Sequence, residues 1–242
     1  MAILMDQARF SVIIPTLQRA AELEPLVRMC SGHPLVSEVL VINNAPQPIS
    51  FAYPKLRVLD QRENIYVNPA WNLGVAKARS QLLAILNDDV SFDTELLDIA
   101  ARQLSRRWVG IVGIDGAYLN QPRLESPKVR FATYEHVTLG FGMAMFMRQD
   151  DYVPIPSSLK IWGGDDWLFM QQRRPNLVVA GVRFNTEVSV TSGSHEFSSM
   201  RMAEHDETGR LLNAVRGKRW WHWPSSRLAA FRSWRGRQLR QG

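Results

Sequence analysis

The sequence contains a single cysteine, Cys30, among 242 residues. One cysteine excludes an internal disulfide and any zinc or iron–sulfur site built from clustered cysteines, and a small buried hydrophobic residue is its simplest interpretation. The longest nearly apolar run, Val137 to Met147, is about half the length that a transmembrane helix requires, so we expect no membrane span. The first residues carry Asp6 before any basic side chain and lack a signal-peptide apolar core, so we expect no secretion.

Several catalytic signatures are absent as well. His195-Glu196 has no second histidine at the spacing of a zinc-protease helix, and Gly140-Phe-Gly142 lacks the third glycine of a dinucleotide fingerprint. There is no Walker loop, no Gly-x-Ser-x-Gly elbow and no repeat of fixed period. The chain is nevertheless 45% hydrophobic and 21% charged, which is sufficient for a folded domain with a full core.

Acidic residues are missing from the C-terminal end. Thr208 to Gly242 contain nine Lys or Arg and no Asp or Glu, whereas the other 207 residues contain 20 basic and 23 acidic side chains, a net charge of −3. Four of the eight tryptophans also lie in this stretch. Such a composition suits a segment that binds nucleic acid or an anionic membrane surface. It equally suits a helix whose tryptophans pack on the domain.

Strand-like and helix-like segments alternate along the first half of the chain. Apolar, β-branched runs end in Pro, Asn or Asp, and the segments between them carry apolar residues at helical spacing. This alternation predicts a mostly parallel sheet with helices on both faces. We predict strands at Phe10–Ile14, Glu38–Ile42, Leu56–Leu59, Leu82–Leu86 and Val109–Ile114, a helix through Leu23, Leu26 and Val27 that Thr16 caps, and helices at Asn68–Leu83 and Thr94–Arg107.

The second half of the chain is less regular. A glycine turn after Ile161 leads into a predicted helix through about Arg173, and everything from about Gly209 onward looks like an appendage. We predict strands at Phe141–Arg148 and Leu177–Val182, a strand-like stretch at Val188–Val190 and an extended loop at Tyr152–Pro156.

A first pair of carboxylates, Asp88 and Asp89, directly follows the predicted strand Leu82–Leu86. Ligands of parallel sheets bind at the carboxyl ends of the strands. Carboxylate oxygens gathered there suit Mg²⁺ or Mn²⁺ that is shared with phosphate oxygens. An Asp turn or a helix N-cap is the structural alternative.

A second pair, Asp165 and Asp166, follows the glycines of Trp162-Gly-Gly164. Glycines let the backbone approach a ligand closely, and one of two adjacent carboxylates can act as a general base. Plain N-capping by Asp165 is the alternative. His195 lies in a polar loop, where it can complete a metal site or remain solvated.

Five short motifs follow one another in a recognisable order: Ile13-Ile-Pro-Thr16, Val39-Leu-Val-Ile-Asn-Asn44, Asn72-Leu-Gly-Val-Ala-Lys-Ala-Arg79, Leu86-Asn-Asp-Asp89 and Trp162-Gly-Gly-Asp-Asp-Trp-Leu-Phe169. Over roughly residues 8–200 this order resembles nucleotide-sugar glycosyltransferases of the GT-A fold, especially the large inverting family 2. The third motif is similar to that family's Asn-x-Gly-x-x-x-Ala-Arg helix, the fourth to its Asp-x-Asp region, and the fifth to its acceptor-side Gly-Glu-Asp motif.

The resemblance implies a donor-binding role for one set of residues. Pro15, Thr16 and Asn43 would line the pocket for the base and ribose, and Arg79 would lie near the diphosphate. Asp88 would lie beside the donor sugar. Asn43 stands where the family usually has the Asp that reads the base, so the base specificity is open.

The resemblance also implies a metal site and a catalytic base. Asp89 would bind Mn²⁺ or Mg²⁺, with His195 as a further ligand, and Asn87 replaces the first Asp of the Asp-x-Asp region. Asp166 matches the family's catalytic base and Asp165 its acidic neighbour.

Together these features predict an α/β protein with a single GT-A (Rossmann-like) domain, built on a mixed, mostly parallel central sheet. We expect this domain at residues 1–208, with a donor half at about 8–115 and an acceptor half at about 116–208, followed by a basic, aromatic C-terminal extension at 209–242.

The implied activity is metal-dependent, inverting transfer of a hexose or pentose from a nucleotide-diphosphate sugar. We expect UDP as the nucleotide. The acceptor would be a hydroxyl on a surface or lipid-linked glycan or on modified phage-type DNA, and the extension would bind this polyanion. The protein would then act in the cytoplasm, at the inner membrane or on DNA. The alternative is a catalytically inactive GT-A-like module that binds nucleic acid or an anionic membrane.

Overall fold

Strands and helices alternate in the computed structural model, which describes residues 9–138, 140–187 and 198–238. The strands are β1 (Phe10–Thr16), β2 (Val36–Asn43), β3 (Leu56–Asp60), β4 (Leu82–Leu86), β5 (Val90–Phe92), β6 (Val112–Ile114), β7 (Lys128–Phe131), β8 (Ala144–Arg148), β9 (Leu177–Ala180) and β10 (Phe184–Thr186). The helices are α1 (Leu23–Gly32), α2 (Val67–Lys77), α3 (Glu95–Leu104), α4 (Glu135–Thr138), α5 (Gly164–Gln171), α6 (Ser198–Asn213) and α7 (His222–Gln238).

Eight strands of the described chain form one sheet in the order β3-β2-β1-β4-β8-β6-β9-β7. β8 and β7 run antiparallel to their neighbours, and the other six strands share one direction. β5 and β10 form a separate antiparallel pair. The prediction of an α/β fold on a mixed, mostly parallel sheet is therefore confirmed.

Two apolar cores cover the two faces of the sheet. Alternate residues of β1 separate between them, because successive side chains of a strand point to opposite faces. Val12 and Ile14 belong to the core under α1 and α3, whereas Ile13 belongs to the core under α2 and α5. Burial on both faces explains why the central strands are continuous apolar runs in the sequence.

Several element boundaries differ from the sequence prediction. The second helix ends at Lys77 and not at Leu83, because the backbone turns to an extended conformation at Ala78 before it enters β4. Residues 141–143 form a 3-10 turn after Gly140, whose φ of 98° is left-handed. Four other elements are shorter than predicted: β6 starts at Val112, β9 ends at Ala180, α3 ends at Leu104 and α5 ends at Gln171. The strands β1, β2 and β3 are longer than predicted.

Thr16 does not cap a helix, because it is the last residue of β1 and α1 begins only at Leu23. Its side chain lies instead among the polar residues at the carboxyl ends of the strands.

Part of the C-terminal extension is packed on the domain. The boundary that we predicted at 208/209 lies inside α6. Leu212 and Trp221 are each 3% exposed and join the core under α5, and the Trp221 Nε1–H donates to the Gln172 carbonyl at 2.9 Å. Trp220 and Trp223, by contrast, are 70% and 62% exposed. In the part of the chain that the structure describes, no helix is long and apolar enough to cross a membrane.

Candidate active site

Polar side chains gather where the parallel strands end. Thr16 and Asn43 are register partners at the carboxyl ends of β1 and β2, and Asp88 follows β4 in the same edge of the sheet. The Thr16 hydroxyl donates to Asp88 Oδ2 at 2.6 Å. Pro15 is buried within β1, paired with Ile42. The structure therefore brings Pro15, Thr16, Asn43 and the first acidic pair together.

Asp88 and Asp89 are nearly inaccessible, at 9% and 8% exposure. Burial raises the pKa of Asp88, and the hydrogen bond from Thr16 opposes that shift. Burial, followed by repulsion from Asp88, raises the pKa of Asp89 to about 6. Burial and mutual repulsion therefore disfavour the state in which both carboxyl groups are ionised. A cation between or beside them would stabilise that ionised state.

The chemistry of this pair fits a divalent cation. Among the described residues, the buried Asp89 Oδ1 accepts no hydrogen bond, and a buried carboxylate oxygen without a partner is costly unless a ligand is bound. Hard oxygen donors of this kind suit Mg²⁺ or Mn²⁺. The described ranges contain no cluster of three or more His, Cys, Asp or Glu side chains that could hold a metal. Further ligands would therefore come from a bound substrate or from outside these ranges.

The Asn43 amide is fully used inside the protein. Its Nδ2 donates to the Gln47 carbonyl at 2.9 Å and to Asp60 Oδ1 at 2.8 Å. Its Oδ1 accepts from Gln18 Nε2 and from the Ala45 amide. Asn43 is only 1% exposed, whereas Asp60 is exposed. Asn43 thus lies at the predicted edge, but it positions the Asp60 carboxylate and has no hydrogen-bonding group left to read a base.

Arg79 does not lie in this site, and the prediction for it needs correction. It lies between α2 and the start of β4, and its backbone N–H donates to Ser11 Oγ and Glu38 Oε1. Ser11 and Glu38 are near the amino ends of β1 and β2. The full length of β4, about 3.3 Å for each residue, therefore separates Arg79 from Asp89.

The second acidic pair starts α5. Gly163 precedes the helix with a φ of 73°, a conformation that favours glycine. Asp166 Oδ1 accepts a hydrogen bond from the Tyr134 hydroxyl at 2.6 Å. Burial raises the pKa of Asp166, although the bond from Tyr134 and the nearby His205 oppose the shift. Burial and the charge of Asp166 also raise the pKa of Asp165.

One cleft spans from the residue just after β4 to the start of α5. It has a volume of about 720 Å³, and Asn87, Asp165 and Asp166 all line it. Gly142 forms part of the wall, where a Cβ atom would overlap the Asp165 carboxylate. A ligand in this cleft would therefore touch the strand end that leads to Asp88 and Asp89 as well as the start of α5.

A carboxylate that the sequence does not single out holds the loop before α5. Glu204 of α6 is 4% exposed, and its two oxygens accept the backbone N–H groups of Lys160, Ile161 and Trp162 at 3.0, 2.9 and 2.8 Å. α6 also packs on Gly163, where a Cβ atom would overlap Thr208 Oγ1. No motif signals this role, because only the tertiary structure brings α6 to the loop.

Trp71 is a second residue of the cleft that sequence analysis missed. It is 4% exposed and lines the cleft, yet its Nε1–H has no hydrogen-bond partner within the described residues. Since buried indole N–H groups usually have a partner, this donor suits an acceptor oxygen of a bound ligand. In the sequence Trp71 is simply one apolar residue of a helix.

Two sequence predictions fall outside the described residues. His195, expected as a metal ligand, and the strand-like Val188–Val190 both lie between residues 187 and 198. The part of α6 that lines the cleft carries Arg201 and His205, one helical turn apart.

Sequence comparisons match the chain to one family model. The family model of glycosyl transferase family 2 matches residues 11–154. A search of curated proteins gives no significant match.

Solved structures resemble the chain at low sequence identity. S. aureus TarS 1-349 in complex with UDP-GlcNAc has a TM-score of 0.57 at 16% identity, over 81% of this chain and 65% of that one. The mannosyltransferase PcManGT from Pyrobaculum calidifontis, in complex with GDP-Man and Mn²⁺, has a TM-score of 0.55 at 16% identity, over 80% and 60%. GalNAc-T7 with UDP, GalNAc and Mn²⁺ has a TM-score of 0.57 at 12% identity, over 75% and 44%. The chain thus matches only 44% to 65% of the length of these three structures.

Proposed function

This chain belongs to glycosyl transferase family 2, and from that premise we propose that it moves a sugar from a nucleotide-diphosphate donor to an acceptor hydroxyl with inversion. The family match and the fold of the structural neighbours confirm the GT-A resemblance. One observation carries the proposal: the region after β4 that bears Asn87 and the Asp165–Asp166 pair line a single cleft. A single displacement requires one acidic group to hold the cation that neutralises the departing diphosphate. It requires another to take the proton of the acceptor hydroxyl.

The acceptor reacts on the α5 side of the cleft. Asp166 removes the proton of the acceptor hydroxyl while that oxygen attacks the anomeric carbon, and the bond from this carbon to the diphosphate oxygen breaks. The electron pair leaves with the nucleoside diphosphate. A raised pKa makes Asp166 a stronger base at neutral pH, and the Tyr134 hydroxyl fixes the orientation of its carboxylate.

The donor binds on the side of β1, β2 and β4. Asp89 would hold Mn²⁺ or Mg²⁺, which supplies positive charge for the departing diphosphate when it is bound, and Asp88 would lie beside the donor sugar. We keep His195 as the proposed further ligand. The Trp71 Nε1–H, free of protein partners within the described residues, would donate to a donor oxygen, and Pro15 and Thr16 would border the nucleoside.

In this proposal Asp60, and not Asn43, recognises the base. Because Asn43 donates to Asp60 Oδ1, the exposed carboxylate is held at the carboxyl end of β3, next to the position where the family pattern expects an Asp. A carboxylate accepts the N3–H of uracil, so UDP remains the favoured nucleotide. Two of the structural neighbours were crystallised with UDP or UDP-GlcNAc, whereas the mannosyltransferase was crystallised with GDP-Man.

The test is a screen of UDP-sugars for hydrolysis and transfer in the presence of Mn²⁺. Asp166→Asn should retain Mn²⁺–UDP binding but lose transfer by roughly a hundredfold or more, the loss expected for a general base. Asp165→Asn should lose less, and the exposed Asp150→Asn serves as the matched control. If the wild-type chain binds UDP but releases no nucleotide from any donor, it is an inactive binding module and the proposal is wrong.

A further inference from the structure

A second cavity lies one helical turn from the proposed catalytic base. It has a volume of about 520 Å³, and Tyr134, Phe169 and Trp221 line it. Phe169 follows Asp166 by three residues on α5, so both side chains lie on the same face of that helix. Tyr134 joins the two places, since its ring lines the cavity and its hydroxyl bonds Asp166. A group seated in this aromatic cavity would therefore contact Tyr134, whose hydroxyl bonds the Asp166 carboxylate.

The walls of the aromatic cavity suit a flat aromatic ligand. Phe169 and Trp221 are buried and meet edge to face, with ring centroids 5.6 Å apart. Trp223, which is 62% exposed, forms the outer wall. The lining also carries polar side chains, among them Arg216, His222 and Ser225. Aromatic side chains of this kind stack on nucleobases regardless of the nucleotide sequence.

The surroundings of the aromatic cavity are strongly basic. Arg216, Lys218, Arg219 and Arg227 lie on or next to its margin in the chain, and within the described residues none of them pairs with a carboxylate. Glu135 is the acidic residue of the lining. Unpaired cations along one segment complement the phosphates of a nucleic-acid backbone.

The arrangement of α7 favours nucleic acid over a membrane surface. Membrane-bound amphipathic helices separate an apolar face from a charged face. In α7, by contrast, Trp223, Arg227 and Phe231 recur at intervals of four residues and so share one face. The Arg227 guanidinium lies 3.8 Å from the Trp223 ring centroid. Rings and guanidinium groups mixed in this way form stacking platforms for bases.

Resting on the function proposed above, we propose that the acceptor is a nucleic acid whose base enters the aromatic cavity. A hydroxyl on a substituent of that base would then face Asp166. Its proton passes to Asp166, its oxygen bonds the anomeric carbon, and the nucleoside diphosphate leaves with the electrons of the broken bond. The base must leave its stack to reach the cavity. The ordinary bases of DNA carry no aliphatic hydroxyl, so an earlier hydroxymethylation of a pyrimidine must supply this substrate.

Two matched variants test the aromatic cavity in the full chain. Trp223→Ala removes an exposed ring that lines it, and Trp220→Ala removes an exposed ring that does not. The probe is a fluorescent single-stranded oligonucleotide that carries one 5-hydroxymethylcytosine. Trp223→Ala should weaken its binding about tenfold or more, as for the loss of one stacked base, and Trp220→Ala should weaken it less. Trp220→Ala changes a residue outside the cavity and should therefore keep wild-type hydrolysis of the UDP-sugar.

A second pair of variants tests access without removing a ring. Ala229 lines the aromatic cavity, whereas its neighbour Ala230 is exposed. Ala229→Trp should block glycosylation of the oligonucleotide, and Ala230→Trp should not. Arg216→Gln should reduce the salt dependence of binding by about 0.7 in the log–log slope, the value for one phosphate of a single strand.

Three outcomes would overturn the inference while leaving the proposed glycosyl transfer intact. The first is that both members of each pair of variants have equal effects. The second is glycosylation of a soluble glycan but not of the oligonucleotide, and the third is binding to anionic vesicles through the C-terminal extension without binding to the oligonucleotide. Absence of donor hydrolysis with Mn²⁺ would instead contradict the proposed function. The oligonucleotide-binding measurement needs no donor, so the two failures are distinguishable.

Discussion

Removal of the Glu204 carboxylate should loosen the loop that leads to the proposed catalytic base. Three backbone N–H groups, from Lys160 to Trp162, share this one acceptor group. A buried donor left without a partner costs about 1–3 kcal/mol. Because Lys160 is exposed and Ile161 and Trp162 are half-buried, the lower end of that range applies to each N–H group, and we expect a loss of about 3 kcal/mol at most in Glu204→Ala. That loss is a large fraction of a typical domain stability of roughly 5–15 kcal/mol.

Glu204→Gln refines this prediction. The carboxamide keeps the shape of the side chain but replaces one acceptor oxygen by an NH₂ group, which cannot accept. At least one of the three N–H groups then loses its partner, at about 1–3 kcal/mol. The control is Asp206→Asn, an exposed acid on the same helix, which should change the unfolding free energy by no more than about 0.5 kcal/mol.

Urea unfolding and hydrogen exchange measure the two consequences separately. The amides of Lys160, Ile161 and Trp162 should exchange faster in Glu204→Gln, while amides of β1 should stay protected. Because Asp165 and Asp166 follow this loop by only a few residues, kcat should fall more than the affinity for the donor. Wild-type stability together with wild-type exchange of the three amides would refute the reasoning.

Three further predictions follow from the site and the extension. Burial raises the pKa of Asp89 to about 6, so protons compete with the cation for this carboxylate at lower pH. Mn²⁺-dependent UDP binding, measured by calorimetry, should therefore strengthen from about pH 5 to 7 in the wild type but not in Asp89→Ala. Trp71→Phe removes an unpartnered N–H together with part of a buried ring. It should weaken UDP-sugar binding several-fold and lower the melting temperature through the cavity that it leaves, and unchanged affinity would exclude the contact. Truncation after Arg210 removes the buried Leu212 and Trp221. The melting temperature should fall sharply, because the loss of one buried Trp side chain typically costs about 3–5 kcal/mol. An unaltered melting temperature would mean that this packing contributes nothing to stability.

Local patterns in the sequence determined the donor half of the fold. Each of β1, β2 and β4 is a short apolar run that ends abruptly in polar residues, and apolar residues at helical spacing mark α1 and α3. Parallel strands bring their carboxyl ends to one edge of the sheet, so the positions of Thr16, Asn43 and Asp88 were predictable. The register of a buried parallel sheet follows from the same apolar pattern, because a slip of one residue would expose the core.

Side-chain partners were not predictable, because they depend on contacts across long stretches of chain. Asn43 matches the expected position, yet only the fold shows that Gln18, Gln47 and Asp60 use all of its hydrogen-bonding capacity. Arg79 matched a motif by its spacing from Asn72, but α2 ends early and leaves it at the opposite edge of the sheet. Spacing along a chain predicts a place in three dimensions only while the secondary structure continues.

The sequence by itself determined the family, the class of fold and the two acidic pairs, because these depend on residues that are neighbours in the chain. Only the tertiary structure decided that one cleft joins Asn87, just after β4, to Asp165 and Asp166, that Glu204 holds the loop before α5, and that Trp221 is core while Trp223 is exposed. These last features arise where α6 and α7 fold back on α5. Their apolar and charged residues follow no clear helical pattern, so the packing that orients them comes from the rest of the domain and leaves no periodic signal in their own sequence.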